Sequence, residues 1–434
     1  MSAVQVFTAS LVVPITAPAI VDGAVAVRAR RIMHVGERAW VVGQLRERGV
    51  DFTEVAWDGI LMPGLVNAHT HLQYTGMHAV GQGTYQGFSS WVEAFNAGYA
   101  GRSSWREDAA AGAALLLASG TTAAADVVTD APAATALHDA GLHGIAYWEV
   151  MDWTNEDWAA RGRDSVERAL QAMPTTPGAG LSPHAPYSLE VDALLEIPDI
   201  ARERAARLHI HLAESEIERA FDHDAAQPWH THRPASLAQV RQAGLGISAT
   251  GYVDQLGVLG PDCHVAHGIY MTADDRALLR ARQTTVALCP RSNAVIGLDA
   301  PPVAAYLREG NPLAVGTDSL ASSPSLDLLE DVAALARLAR EQGYSDRNLA
   351  MRLLGAATLG GARALGLEVG PERTGHLAVG ARADLALFDM GGHDEEDAMY
   401  ALVESGAGSA AATVVAGELR HASPAFTAAT GLAA

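Results

Sequence analysis

The sequence contains no lysine; all thirty of its basic side chains are arginine. That absence removes Schiff-base catalysis, a lysine-anchored pyridoxal phosphate and the P-loop lysine that grips nucleotide phosphates. It also removes any carbamylated lysine that would bridge two metals. The chain is crowded with Ala, Gly and Arg, as GC-rich coding would make it, but the chemical exclusion holds whatever its origin. Cysteine is nearly missing. Cys263 and Cys289 are the two present, with no metal-type spacing and no disulfide framework. Charged residues make up only 18%, and acids dominate, for a net charge of −20. That surface disfavours nucleic-acid backbones and anionic membranes as partners. Long apolar runs are scarce too. The stretch from Ala109 to Val128 is interrupted by Gly112, Gly120 and Asp126, and reads as an Ala-rich helix, a glycine stop and a strand, not a membrane span. The first positive side chain is Arg28, so a secretory leader is not expected and a cytoplasmic location is.

What is present is ample apolar content, 49% of 434 residues, enough for two or three domains. Residues 1 to about 60 hold short alternating runs, Gly23–Arg28 and Arg31–Gly36, which are strand and turn signals. Similar runs return at Ala383–Phe388 and Thr413–Gly417. The two ends are expected to share a small β-sandwich domain, 1–60 with 371–434. Between them, apolar strands alternate with helical patterns such as Ala273–Arg282, Pro301–Arg308 and Leu326–Arg340. Eight strands are predicted: Ile60–Val66, Thr121–Val128, Leu142–Trp148, Gly180–His184, Leu208–Leu212, His264–Ala266, Thr285–Leu288 and Leu313–Gly316. Eight β-α units over 61–370 predict an α/β fold, a TIM-like (β/α)₈ barrel. An insertion near 216–260, with His223, His230 and His232, is expected on its top face.

Histidines and carboxylates cluster at the predicted strand ends, where barrel enzymes build their sites. Asn67-Ala-His69-Thr-His71 follows the first strand, and alternation puts both imidazoles on one face. His209-Ile-His211-Leu-Ala-Glu214 ends the fifth. His209 and His211 share parity, so the pattern leaves the ligand open, with His211 preferred because it lies nearer the strand end and Glu214. His264-Val-Ala-His267 ends the sixth, and Gly316-Thr317-Asp318-Ser319 ends the eighth. Asp318 alone could be a helix N-cap; four matching strand ends in one barrel make coincidence a poor account. Three imidazoles and one carboxylate suit a borderline cation, Zn²⁺ first with Fe²⁺ as the alternative. Such a cation would acidify a bound water toward pKa ~7. Glu214 is then available to move protons and His267 to donate to the attacking oxygen, which is equipment for hydrolysis at an sp² carbon.

The order His-Thr-His, His-Leu-Ala-Glu, Ala-His-Gly, Cys289-Pro-Arg-Ser-Asn293 and Gly-Thr-Asp-Ser resembles the amidohydrolase superfamily, and within it the deaminases of cytosine, guanine, S-adenosylhomocysteine and related adenine nucleosides. Gly375-His-Leu-Ala-Val-Gly-Ala-Arg-Ala-Asp384 is similar to the return strand of that superfamily's terminal β domain. The resemblance implies one metal held by His69, His71, His211 and Asp318. It implies that Asp318 also takes a proton from the water, that Glu214 protonates the ring nitrogen beside the reacting carbon, and that His267 holds the water. The two-metal branch, which needs a carbamylated lysine, is closed to this chain.

Ser182-Pro-His184-Ala-Pro-Tyr187 resembles the segment carrying a substrate-contacting histidine in adenine nucleoside deaminases, so His184 is either a substrate contact or a supporting residue. Tyr85, Phe88 and Trp91 lie in a Gly-rich loop; Trp91 could stack on a flat ring or close the loop's own core. Glu149 could hold ribose hydroxyls or pair with an arginine. The loops His71–Gly76 and Tyr252–Gly260 and the Tyr-Trp-Glu-Val segment are most like aminofutalosine deaminases of menaquinone biosynthesis. The expected reaction is therefore hydrolytic loss of the 6-amino group of an adenine nucleoside, with aminodeoxyfutalosine preferred. Alternatives are adenosine, methylthioadenosine, S-adenosylhomocysteine or guanine deamination, or triazine hydrolysis. A non-enzyme alternative is a metal-binding small-molecule sensor. The expected partner is a small nucleoside, with homo-oligomer formation left open.

Overall fold

The computed structural model describes residues 3–175, 178–219, 247–391 and 395–434. The N-terminal strands are β1 (Val4–Val12), β2 (Ile20–Arg28), β3 (Arg31–Glu37) and β4 (Phe52–Pro63). Eight parallel strands follow: β5 (Leu65–Thr70), β6 (Thr121–Val128), β7 (His143–Val150), β8 (Ala179–Pro183), β9 (Arg207–Leu212), β10 (Cys263–His267), β11 (Thr285–Leu288) and β12 (Leu313–Val315). The chain ends through β13 (Leu385–Phe388), β14 (Ala410–Val415) and β15 (Glu418–Ala422).

Strands from both ends make one mixed sheet in the order β15-β14-β13-β4-β1-β2-β3. Alternation along β1 sends Phe7 and Ala9 to a core with Val25, Val27, Leu385 and Phe426, while Val4 and Val6 pack with Ala24, Ala26, Val41 and Leu45. One apolar row on each face is what period-two strands must bury. The segment matched to a return strand, Gly375–Asp384, is instead a loop that leads into β13. It touches β3 through Ile32 N–H to Ala381 O at 3.0 Å and Gly380 N–H to Ile32 O at 2.8 Å.

The parallel strands form a (β/α)₈ barrel whose strands are almost entirely buried, as strands covered on both sides must be. The apolar run predicts a single strand over Ile60–Val66. The structure divides it: β4 finishes at Pro63 and the barrel opens at Leu65. Gly64 makes the handover because it passes against Thr122, where a Cβ would lie 2.1 Å from Oγ1. Its N–H donates to Asp384 O. Between β5 and β12 the barrel closes through the Asn67 side chain, which donates to Thr317 Oγ1 at 2.8 Å and accepts from Thr317 N–H at 3.2 Å. Asp318 N–H donates to His69 O at 3.0 Å across the same seam.

Of the expected insertion, the structure describes the short helix Glu216–Arg219 and the helix Ala249–Gln255. His223, His230 and His232 lie outside the described residues. Among the described residues no helix is long and apolar enough to cross a membrane.

Candidate active site

The C-terminal ends of β5, β9, β10 and β12 converge on one buried cluster. His71 Nε2 and His211 Nε2 lie 3.2 Å apart. Asp318 Oδ1 lies 3.4 Å from His69 Nε2 and 3.7 Å from His71 Nε2. Ligands about 2.0–2.1 Å from a tetrahedral cation stand about 3.3 Å from one another, so these separations are the edges of such a site. His69 is fully buried, and neither of its ring nitrogens has a hydrogen-bond partner. A buried imidazole left in that state is costly unless a cation completes it. The donor set of three imidazoles and one carboxylate therefore fits a single divalent ion.

Two of the candidate ligands, Asp318 and His211, are held from behind. Asp318 Oδ2 accepts from Ser292 Oγ at 2.6 Å and Ser322 Oγ at 2.8 Å, and Oδ1 accepts from Ser319 N–H at 2.7 Å. His211 Nδ1 lies 3.0 Å from His184 O, which fixes which ring nitrogen faces the cluster. His209 shares parity with His211 but sits deeper. Its ring stacks on His69 at 4.8 Å and its Nδ1 pairs with Ser182 Oγ at 3.0 Å. Gly316 lets β12 approach β5, because a Cβ there would come 2.7 Å from His69 Cβ.

Across the cluster, His267 Nε2 lies 3.5 Å from Glu214 Oε1. Asn293 Oδ1 holds His267 Nδ1 at 3.1 Å. Thus Ser292 and Asn293, both in the Cys289–Asn293 motif, orient Asp318 and His267. The preceding Arg291 points away, to Asp331, Ser325 and Glu330. Ala213, His267 and Asp318 all have left-handed backbones, with φ of 53°, 74° and 61°. Non-glycine residues seldom adopt that region, and such strain concentrates at functional sites.

Electrostatics separate the two principal carboxyls. Burial pushes Glu214 well above the usual carboxylate range, and the nearby Asp318 charge adds to it. Burial acts on Asp318 in the same direction, but His69, His71 and His267 outweigh it and hold Asp318 well below that range. One group is poised as a proton donor and the other as an anion, the division that acid–base chemistry requires. Burial also takes His71 down to about 3 and His184 to about 4.

The cluster forms the floor of a cavity of about 430 Å³. His184, Glu149 and Trp91 all line it. His184 Nδ1 is taken by Ser188 Oγ at 2.8 Å. Glu149 is buried, with Oε1 3.8 Å from His211 Nδ1 and no hydrogen bond. Burial, reinforced by Asp318 and Glu214, raises its carboxyl to about 8. Trp91, expected in a Gly-rich loop, lies instead in the helix Phe88–Tyr99 and donates from Nε1 to Ala321 O at 2.9 Å. Spacings of three and four residues between Phe88, Trp91, Phe95 and Tyr99 are the helical signal that the glycines around them obscured.

Glu218 is a further functional residue, beyond those expected from the sequence. This buried carboxylate accepts the backbone N–H groups of Ala213, Glu214 and Ser215 at 2.6, 2.8 and 3.1 Å. Ser215-Glu-Ile-Glu218 matches a capping box, a pattern that could have found it. Glu218 also explains how Ala213 keeps its left-handed turn.

The sequence pattern of the Amidohydrolase family matches residues 60–420. A 5-methylthioadenosine/S-adenosylhomocysteine deaminase of Moorella thermoacetica is 30% identical over 403 residues, 87% of this chain and 84% of that one. Among solved structures, an adenosine deaminase from Xanthomonas campestris with bound zinc is similar at a TM-score of 0.79 and 24% identity, covering 99% of this chain and 97% of that one. An aminofutalosine deaminase from Helicobacter pylori in complex with methylthio-coformycin gives a TM-score of 0.79 at 21% identity, covering 96% and 99%. These two likenesses are of fold. The sequence match spans most of the chain and includes all four strand ends of the cluster, and this chain belongs to the Amidohydrolase family.

Proposed function

We propose that this chain is a metal-dependent deaminase that hydrolyses the 6-amino group of an adenine nucleoside and releases ammonia. The observation that carries the reading is the Glu214–His267 pair, 3.5 Å apart, facing Asp318 across a buried three-histidine cluster. A sensor would need the ligands but not this second, proton-handling pair. The Moorella relative, a deaminase of adenine nucleosides by name, supports the substrate class.

His69, His71, His211 and Asp318 would hold one divalent ion, Zn²⁺ by donor set, with Fe²⁺ as the alternative. When bound, that ion supplies Lewis acidity that brings water to a pKa near 7. His267 holds the water through Nε2, its other nitrogen being fixed by Asn293. Asp318 accepts a water proton as the oxygen bonds to the ring carbon. Glu214 gives its proton to the neighbouring ring nitrogen, which takes up the electron pair. Asp318 returns its proton to the amino nitrogen, the exocyclic C–N bond breaks and ammonia leaves, and the remaining hydroxyl proton passes to the Glu214 carboxylate as the carbonyl forms. His184 and Glu149 are assigned to the base and sugar, and Trp91 to the cavity roof.

Within this class, aminodeoxyfutalosine is the narrower reading, resting on the loops His71–Gly76 and Tyr252–Gly260. Its benzoate asks for a cation that a thioether such as methylthioadenosine does not. Incubating the zinc-loaded protein with an adenine nucleoside panel tests the reading. The expected result is ammonia release with the adenine-to-hypoxanthine ultraviolet change. No change with any of them would refute it.

A further inference from the structure

Glu149, near the end of β7, lines the active-site cavity with its side chain buried and Oε1 without a hydrogen-bond partner. The sequence left it two roles, a sugar contact or an arginine pair. Among the described residues that line the cavity there is no arginine, and the chain has no lysine. A buried polar atom in that state asks for a ligand. Beside it stands His184. The His184 N–H donates to Val150 O at 3.0 Å, which sets the ends of β7 and β8 side by side. Ser188 Oγ pairs with His184 Nδ1 at 2.8 Å and leaves Nε2 for the cavity. Ligand atoms of Glu149, His184 and His211 all lie within 4.8 Å of one another. His211 is already committed, with Nε2 facing His71 and Nδ1 donating to His184 O. A carbonyl only accepts, so that ring nitrogen carries a hydrogen and offers no lone pair. Glu149 and His184 remain, a carboxylate and an imidazole on one wall, outside the four-residue cluster.

We infer that Glu149 and His184 form a second, weaker divalent-cation site, and that a cation held there shuts the nucleoside out. A carboxylate oxygen with an imidazole nitrogen is a zinc-type donor pair, and solvent completes the coordination. No lysine carbamate is needed. The span of up to 4.8 Å is looser than the 3.2, 3.4 and 3.7 Å edges of the first cluster. Fewer protein ligands at looser spacing make the second ion the weaker one. The proton that burial keeps on Glu149 at neutral pH leaves as the cation takes its place. Binding of the ion stands on the geometry alone. Its inhibitory effect rests on the deaminase reading, which assigns these same two side chains to the nucleoside. One ion then equips the site, and a second stops it.

Zinc itself is the probe, added to the full chain already loaded with its first equivalent and freed of excess metal. Titration calorimetry should show a further, weaker equivalent. Losing even an outer partner of a metal site costs about 10–100-fold in affinity, and Glu149→Gln or His184→Gln removes a ligand. Each should weaken the second equivalent by about tenfold or more while the first stays bound. Equal affinity in the parent and both variants would put that ion on other histidines and overturn the inference, as would the absence of a second equivalent. Anomalous scattering from zinc-soaked crystals of the parent needs no variant. A second peak beside Glu149 and His184 supports the site, and a peak at the first cluster alone overturns it. In steady-state assays excess zinc should raise KM for the nucleoside and leave kcat little changed. Inhibition that lowers kcat alone would overturn the competition while leaving the deaminase reading intact. If no nucleoside is deaminated, the deaminase reading fails, and calorimetry and scattering then judge the second site by themselves.

Discussion

The carboxylate of Glu218 binds the backbone of Glu214. Its Oε2 accepts the Glu214 N–H at 2.8 Å and the Ser215 N–H at 3.1 Å, while Oε1 takes Ala213 N–H at 2.6 Å. Three donors on one side chain fix the turn that aims Glu214 at His267. The same burial that shields these bonds raises the Glu218 carboxyl to about 7.

Glu218→Gln keeps size but replaces one acceptor oxygen by a donor, which then faces an N–H. Loosening a supporting residue of this kind costs about 10–100-fold in activity. We expect that loss in kcat, with KM and metal content little changed, because the turn carries no metal ligand. Steady-state kinetics with metal analysis checks it. A loss confined to KM would contradict the positioning role.

Glu214→Gln removes the proton but preserves the shape. Removal of a positioned acid or base costs roughly 10²–10⁴-fold, and Glu214 serves twice, so the loss should lie at or beyond the upper end. Metal content should stay near that of the unmodified protein. Deamination at an unchanged rate would remove Glu214 from the proton path.

The strand ends were legible because each places a histidine or aspartate directly after a short apolar run, a local signal. The choice between His209 and His211 was not, since parity is identical. Only the ring contacts distinguish them: His211 Nε2 meets His71, while His209 stacks beneath His69. The left-handed backbones of Ala213, His267 and Asp318 were also invisible, because their residue types do not call for positive φ. The break at Gly64 depends on Thr122, which is distant in sequence. The roof helix was hidden because Gly83 and Gly87 precede an otherwise periodic stretch.

Chelation should remove both activity and stability. The cluster gathers His69, His71, His211 and Asp318 in a buried space, where a cation would satisfy the unpartnered His69 Nε2 that faces Asp318. An ion that binds the folded state alone adds about 4 kcal/mol when it is present at a thousand times its dissociation constant. The metal-free protein should therefore melt several degrees lower, and one equivalent of zinc per chain should restore both properties. A melting point indifferent to the chelator would argue against a tight site.

Asp126 gives a pH signature independent of catalysis. It is buried beside β5, where Oδ1 accepts from Leu72 N–H at 2.8 Å and Oδ2 has no hydrogen bond. Burial raises its carboxyl from 3.8 to about 7. The folded chain then holds a proton between those two values that the unfolded chain has released. Its contribution to stability is complete below pH about 4 and is lost as pH rises through about 7, a change on the order of a few kcal/mol. Asp126→Asn keeps an oxygen for the Leu72 N–H and cannot ionise. Urea unfolding of the metal-loaded protein at pH 5 and pH 8 should show the variant gaining on the parent at the higher pH. The same difference between the two proteins at both values would mean that Asp126 does not titrate in this window.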